Sequence, residues 1–291
     1  MSLPFSLRIL RSKKRLSNSI SLIKNIKNPL FLGLVFFPIL KYQGKYSAQD
    51  LQIIRWLISE CNLSIGKKLM VHLLQRKAAI IQVDGTLFCV TCFEDLYHAS
   101  LGYEPETLAF IENNQERDCV FVDVGSNIGG YSVRLSRKNR VYAFEPHPKN
   151  YSLLTKNLKL NNRNEYYTYN CAVSNKTGDN VCLFTSSFTG CHSIVINSKG
   201  GQIKVKTVKI DDALSNEKTV GVIKIDAEGA EPYVLQGAKK TLMRTNFVIF
   251  EGSIPNVKLF AHEFLVDLGF KCEGKLDFEN YLYTSPRMQK E

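Results

Sequence analysis

Phe121-Val-Asp-Val-Gly-Ser-Asn-Ile-Gly-Gly-Tyr131 decides the reading of this chain. An apolar strand runs into a glycine-bearing turn that opens a helix. This is the junction at which doubly wound sheets hold ligands, at the carboxyl ends of their strands. Gly125 and Gly129 are expected to let the backbone approach a ligand with no Cβ in the way.

Outward from this stretch, apolar strands alternate with helices from Cys119 onward. Strands are expected at Val120–Val124, Val141–Phe144, Tyr167–Cys171, Val222–Ile225 and Phe247–Phe250. Helices are expected over 129–137, 148–160, 232–243 and 256–268. Continuous apolar strands in such alternation imply a parallel sheet covered on both faces. Phe270–Leu276 and Tyr281–Tyr283 follow with no helix between them, which predicts an antiparallel edge hairpin. A strand-like insertion occupies 181–210, with Gly190, Gly200 and Gly201 as turn points. Upstream, Ala78–Val83 and Thr86–Thr91 flank Asp84-Gly85, the pattern of a hairpin with a type I′ turn. Residues 50–75 and 103–117 read as helical. Three parts result: a basic amphipathic segment (1–49), a helical and β-hairpin extension (50–117) and an α/β domain (118–291).

Two more motifs carry chemistry. In Val141-Tyr-Ala-Phe-Glu-Pro146, Glu145 closes the second strand 22 residues after Asp123, a distance suited to an acid that accepts both ribose hydroxyls. In Val222-Ile-Lys-Ile-Asp-Ala-Glu-Gly-Ala-Glu-Pro232, Asp226, Glu228 and Glu231 place three carboxylates within six residues. Like charges this close raise at least one pKa, which suits a general base. Glu231 and Pro232 also fit an ordinary acidic helix start, whereas Asp226 ends a buried strand and fits it poorly.

Asp123 distinguishes the possible cofactors. A pyrophosphate at this helix start would face an unfavourable carboxylate. S-adenosylmethionine has no phosphate, and its ammonium group can be held by one.

The net charge of +11 would suggest a nucleic-acid partner, but nine basic residues precede the first acid, Asp50. The rest of the chain carries 29 Lys and Arg against 27 Asp and Glu, so no phosphate-tracking groove is expected on the main domain. Eight cysteines spread through apolar stretches read as reduced, buried thiols of a cytoplasmic protein. Cys89-Val-Thr-Cys92 lies in an expected strand without a second pair at zinc spacing, and no metal is expected. Leu3, Leu7, Leu10, Leu16, Ile20, Ile23, Ile26 and Leu30 form a helical stripe flanked by Arg and Lys. This helix would pack on the catalytic domain with its charges in water. The alternatives are that residues 1–40 make peripheral contact with an anionic membrane, or that they are an organellar targeting segment. The apolar run from Pro29 to Leu40 is too short to span a bilayer.

Together, Asp123–Gly129, Ala143–Pro146 and Lys224–Glu231 resemble the FkbM family of methyltransferases, with further echoes at Asn170–Ser174, Asp211-Asp212-Ala-Leu and Phe250–Gly252. The resemblance covers about 170 residues, Cys119 to Ser285. It implies the seven-stranded class I methyltransferase (Rossmann-like) sheet, parallel with an antiparallel edge hairpin, and S-adenosylmethionine as cofactor. It further implies that Asp123, Gly125, Asn127 and Gly129 line the methionine end, with Glu145 on the ribose and Ala172 facing the adenine. Ser126, Tyr131 and Pro146, members of the same turns, are grouped with them.

Asp226 would sit with Glu228 beside the reacting methyl. Asp226 is the first candidate base, Glu228 the second, and His192 of the Gly190-Cys-His-Ser193 turn the third. A cation held by Asp226, Glu251 and His192 is a disfavoured alternative. The family's activities imply O-methylation of a hydroxyl on a glycan, glycolipid or small metabolite. Alternatives are a nucleic-acid or protein methyltransferase, and a non-catalytic cofactor-binding scaffold. The nucleic-acid reading is opposed by Asp226-Ala-Glu-Gly, which stands where amino-methylating enzymes carry an Asn/Asp-Pro-Pro-aromatic loop.

Overall fold

A computed structural model describes residues 78–115, 119–163, 165–186, 188–197, 200–277 and 279–290. The amphipathic segment and the helix expected over 50–75 lie outside the described residues. No helix among the described residues is long and apolar enough to cross a membrane.

The described chain opens with β1 (Ala79–Val83) and β2 (Thr86–Val90), paired antiparallel. Asp84 and Gly85 both have left-handed backbones (φ 47° and 70°), as the type I′ turn requires. A lone two-stranded hairpin is marginal, and here helix side chains complete it. Asn157 and Asn161, one turn apart on a following helix, satisfy the free edge of β2. The Cys89 N–H donates to Asn157 Oδ1 (2.6 Å) and the Leu87 N–H to Asn161 Oδ1 (2.8 Å). Asn161 Nδ2 returns a bond to the Leu87 carbonyl (2.7 Å). Asn157 is fully buried. Asn157→Ala is therefore expected to cost about 1–3 kcal/mol, because it orphans buried backbone groups. Urea denaturation measures this, and a loss near zero would show that the hairpin edge is satisfied otherwise.

After β2 come α1 (Phe93–His98), which was not expected, and α2 (Pro105–Asn114), inside the stretch expected to be helical. The chain then continues through β3 (Val120–Val124), α3 (Ser132–Leu135), β4 (Arg140–Phe144), α4 (Pro148–Leu160), β5 (Tyr166–Tyr169), β6 (Ala172–Val173), β7 (Asn180–Phe184), β8 (Gln202–Val208) and α5 (Ile210–Ala213). It finishes with β9 (Val220–Ile225), α6 (Glu231–Gln236), α7 (Lys239–Leu242), β10 (Thr245–Glu251), α8 (Pro255–Asp267), β11 (Lys271–Lys275) and β12 (Asn280–Thr284). The helix expected over 129–137 is shorter than anticipated, and that over 232–243 is split in two around Gly237-Ala238. At Gly237 a Cβ would meet the Ser174 carbonyl oxygen at 2.1 Å, so close packing against that loop requires glycine.

Seven strands form one sheet in the order β11-β12-β10-β9-β3-β4-β5, with β12 antiparallel to both its neighbours. This is the expected class I architecture: two halves wind outward from β3, and the last hairpin closes one edge. Side chains alternate between faces. Val120, Val122, Val124, Ile223, Ile225 and Val248 share one cluster with Val234, Leu235, Leu242, Ala261 and Leu265 from α6, α7 and α8. The residues of opposite parity, Asp123 and Lys224 among them, are buried too. The insertion pairs β7 with β8, and β8 also pairs with β6, which precedes the expected insertion, to give a small second sheet, β6-β8-β7.

Candidate active site

The carboxyl ends of β3, β4, β9 and β10 border a cavity of about 420 Å³, a size typical of small-molecule sites. Strand order reverses at β3, so the cavity lies where a doubly wound sheet opens a crevice.

The turn after β3 is drawn toward β4, with Gly125 N–H (2.9 Å) and Ser126 N–H (3.0 Å) both donating to the Phe144 carbonyl. Gly125 has φ +81°, and a Cβ there would come within 1.8 Å of the Asp226 carbonyl oxygen. At Gly129 (φ +94°) a Cβ would meet Leu154 and Val133 side chains at 2.8 and 2.9 Å. Gly129 therefore makes room for other parts of the protein and does not border the cavity, whereas Gly125 borders it and also permits the close approach of the β3 and β9 turns.

Of the expected site residues, Gly125, Asn127, Glu145, Pro146, Ala172 and Asp226 line the cavity, as do Glu228 and His192. Asp123, Ser126, Gly129 and Tyr131 do not. Asp123 is buried beneath the turn, where its carboxylate accepts a 2.5 Å hydrogen bond from Ser132 Oγ and lies beside Lys224 in the sheet register. It presents no carboxylate to a ligand at the cavity wall, which corrects the reason given for excluding a dinucleotide. Ser126 Oγ is spent on the Asp123 carbonyl (2.7 Å), and Tyr131 OH donates to Glu104 Oε2 (2.5 Å).

Lys224 organises the charge. It is 2 % exposed, with its Nζ 3.1 Å from Asp226 Oδ2 and 3.4 Å from Glu104 Oε2. Burial opposes its charge, but Asp226 and Glu104 more than offset that and raise its pKa. Burial likewise opposes ionisation of Asp226, yet Lys224 and a hydrogen bond shared with Glu251 hold its carboxyl below the usual range. Glu251 takes the opposite shift, up to about 9, because Asp226 is already ionised beside it. Burial, then Asp226, pushes Glu228 up to about 7. Burial lifts Glu145 to about 8, although the N–H groups of Asn127 and His147 donate to its two oxygens (2.8 Å each).

The protonation state of the folded protein therefore differs from that of the unfolded chain. Glu145, Glu228 and Glu251 hold protons above the ordinary glutamate value of 4.5, up to about 8, 7 and 9. Their folded-state pKa values are raised, so their contribution is present at low pH and is lost as pH climbs through that window. The ligand-free melting temperature is expected to fall between pH 5 and 9. A cationic ligand should flatten the slope, and a Tm that rises with pH would refute this charge balance.

Asp226, Glu228 and Glu251 each offer an oxygen within 4.8 Å of the others and could hold a hard cation. The structure thus assembles a tight carboxylate cluster in which Glu251, and not the expected Glu231, joins Asp226 and Glu228. His192 is not part of it. Its ring stacks on His147 (centroids 4.1 Å apart), its Nδ1 accepts the Ser186 N–H (3.0 Å), and burial lowers its pKa to about 4.

One wall was missed by sequence reasoning. Glu94, Tyr97 and His98 of α1 line the cavity together with Tyr103 and Glu104. A six-residue helix is too short for apolar periodicity to reveal it. The left-handed backbone at Glu104 (φ 44°), followed by Pro105 at the helix start, turns this carboxylate inward. The expected burial of the cysteines also fails in part: Cys182 and Cys191 are exposed. Cys92 caps α1 and is not in the strand.

Residues 123–272, half of the chain, match the methyltransferase FkbM domain. The chain belongs to the FkbM methyltransferase family. It is 31 % identical over 183 residues to the hexuronic acid methyltransferase AglP of Haloferax volcanii, covering 60 % of this chain and 74 % of that protein. It is 27 % identical to methyltransferase 1 of Beauveria bassiana, over 41 % of this chain and 58 % of that one. A solved precorrin-6y C5,15-methyltransferase from Geobacter metallireducens aligns with a TM-score of 0.40 at 14 % identity, covering 64 % and 87 % of the two chains.

S-adenosylmethionine is the cofactor of this FkbM methyltransferase, and the cavity suits it. Asn127, left-handed at φ 48°, has an Oδ1 with no hydrogen-bond partner. Among the described residues no Lys or Arg lines the wall, while six carboxylates do. With Asp226 ionised and no described basic side chain on its lining, that wall suits a sulfonium and an ammonium and offers a diphosphate no counter-charge. The exclusion of a dinucleotide thus rests on the wall as a whole and not on Asp123.

Proposed function

We propose that this protein transfers a methyl group from S-adenosylmethionine to a hydroxyl of a glycan, glycolipid or small metabolite. The observation that carries the reading is the division of the cavity. Glu145 and Asn127 occupy the β3–β4 side, and Asp226, Glu228 and Glu251 occupy the β9–β10 side.

S-adenosylmethionine, when bound, supplies a methyl group on a positively charged sulfur. Glu145 would hold the ribose, Asn127 and Gly125 the methionine end, and Ala172 with Pro146 the adenine. On the far side, Asp226 stays ionised beside Lys224 and so accepts and orients the hydroxyl's hydrogen bond. Its depressed pKa makes it a weak proton acceptor. Glu228, near 7, is matched to working pH and receives the proton. It is held at φ 50°, where non-glycine residues are rare, with its carbonyl accepting from Ser193 Oγ (2.6 Å). His192 is mostly neutral and already bonded through Nδ1, and acts as a wall. The relative from Haloferax, named for a hexuronic acid, supports a sugar as the acceptor.

Incubating the full chain with methyl-labelled cofactor and a polar cell extract tests the reading. Label on an oxygen of a saccharide or small metabolite is expected. Label on nucleic acid or protein would reject it. Calorimetric binding of cofactor without any label transfer would favour a scaffold.

A further inference from the structure

We infer that Glu104 is a positioning residue for methyl transfer, acting on Asp226 through the Lys224 ammonium that the two carboxylates share. The inference rests on the proposed hydroxyl methylation and adds a residue to it. Lys224 Nζ donates to Asp226 Oδ2 at 3.1 Å and lies 3.4 Å from Glu104 Oε2, with the Tyr131 ring centroid 5.2 Å away. Tyr131 OH donates to the same Glu104 oxygen (2.5 Å). Lys224 and Glu104 are 2 % and 5 % exposed, so water and salt screen these contacts little. A buried ammonium set between two carboxylates divides its attraction between them. With Glu104 in place, part of that attraction is directed away from Asp226, which stays at the cavity wall as a strong acceptor for a hydroxyl. Without the Glu104 charge, the ammonium closes on Asp226 alone, draws it toward the strand and weakens it as an acceptor.

The chain fixes Glu104 firmly enough for this role. Its backbone is left-handed (φ 44°), and its carbonyl accepts the Leu108 N–H (3.0 Å) in the first turn of α2. On one side, Arg134 Nη2 donates to the Ala99 carbonyl (2.6 Å) and ties the end of α1 to α3. On the other, the Thr107 N–H donates to Asp277 Oδ2 (2.5 Å) and ties α2 to the turn between β11 and β12. Residues 99–107 are thus pinned at both ends to the α/β domain. Glu104 precedes residue 123, where the family match begins, so a residue outside the matched domain sets the working state of one inside it.

The test compares Glu104→Gln with wild type, using the full chain, methyl-labelled S-adenosylmethionine and a dilution series of polar cell extract. Glutamine keeps the length of the side chain and leaves Lys224 paired with Asp226. The rate of O-labelling at saturating extract is expected to fall by about 10-fold or more. The extract concentration giving half that rate, and the calorimetric affinity for the cofactor, should stay within about twofold. Lys224→Met and the double variant complete the comparison, each assayed below its melting range. Because Glu104 acts through Lys224, its substitution should slow labelling no further once Lys224 is gone. Tyr131→Phe keeps both charges and the ring but removes the hydroxyl that anchors Glu104. It should lower the same maximal rate to a smaller extent, and it decides the matter where Lys224→Met does not fold. A wild-type rate in Glu104→Gln or in Tyr131→Phe overturns the inference. So does a loss that multiplies with that of Lys224→Met, the mark of direct acceptor contact or a loosened fold. A higher half-saturating extract concentration at an unchanged maximal rate overturns it too. These three results leave the hydroxyl reading intact. Wild-type label on nitrogen or carbon, or none above a boiled control, rejects that reading and this inference with it.

Discussion

Lys224→Met is expected to lower the free energy of unfolding by about 3–5 kcal/mol at pH 8, the usual cost of removing one partner from a buried ion pair. Among the described residues Lys224 is the one Lys or Arg ion-paired with Asp226 and Glu104, it lies beside Asp123, and it is 2 % exposed. Methionine matches its length and fills the space, so the loss is one of charge compensation and not of volume. The pH dependence separates this from a packing defect. Without the ammonium, Asp226 and Asp123 titrate at higher pH and become neutral as the medium is acidified, so the deficit should shrink toward pH 5. Urea denaturation of both proteins at pH 5 and pH 8 reads it. A deficit that is the same at both pH values, or below about 1 kcal/mol at pH 8, would show that Lys224 does not hold this charge network together.

Asp226→Asn is expected to lower kcat by about 100-fold or more while leaving cofactor affinity within a few-fold. The amide keeps the shape of the side chain but loses the charge that orients a hydroxyl and that keeps Glu251 protonated near 9. Glu228→Gln should lose turnover on a similar scale for a different reason. In the wild type, kcat/KM should rise with pH through about 7, where the Glu228 carboxyl ionises, and this acidic limb should vanish in the variant. His192→Asn should stay within several-fold of wild type, since that ring packs on His147 and donates nothing to the β9–β10 side. Isothermal titration with S-adenosylmethionine, run beside single-turnover kinetics, separates the outcomes. Wild-type turnover in Asp226→Asn removes the orienting role. A parallel collapse of cofactor binding would reassign Asp226 to the cofactor.

The elements read most securely from sequence are those whose signal is local. The strands at Val120–Val124 and Val220–Ile225, the second expected from Val222 onward, are apolar but for Asp123, Gly221 and Lys224, and both are buried along their whole length. The Asp84-Gly85 hairpin and the helix over 148–160 were legible because turn chemistry and helix starts depend on a few adjacent residues. The positions of Asp123 and Gly129 away from the cavity, and the packing demand on Gly125, were not legible for the opposite reason. Whether a strand-end carboxylate faces a cavity or a buried serine, and whether a glycine admits a ligand or a neighbouring carbonyl, depends on chain segments far away in sequence. Asp226 lies 101 residues past Gly125, and nothing near Gly125 announces the 1.8 Å conflict a Cβ would meet there.

The sequence by itself determined the sheet, its edge hairpin, the family and the acids at the ends of β4 and β9. Each of these follows from periodicity or from motifs whose spacing is set by a single strand–turn–helix unit. Only the tertiary structure decided which acids share a cavity, that Lys224 is locked between two of them, and that α1 supplies a wall. Those facts arise where segments distant in the chain are packed together out of water. There, desolvation and proximity change what a carboxylate or an ammonium can do.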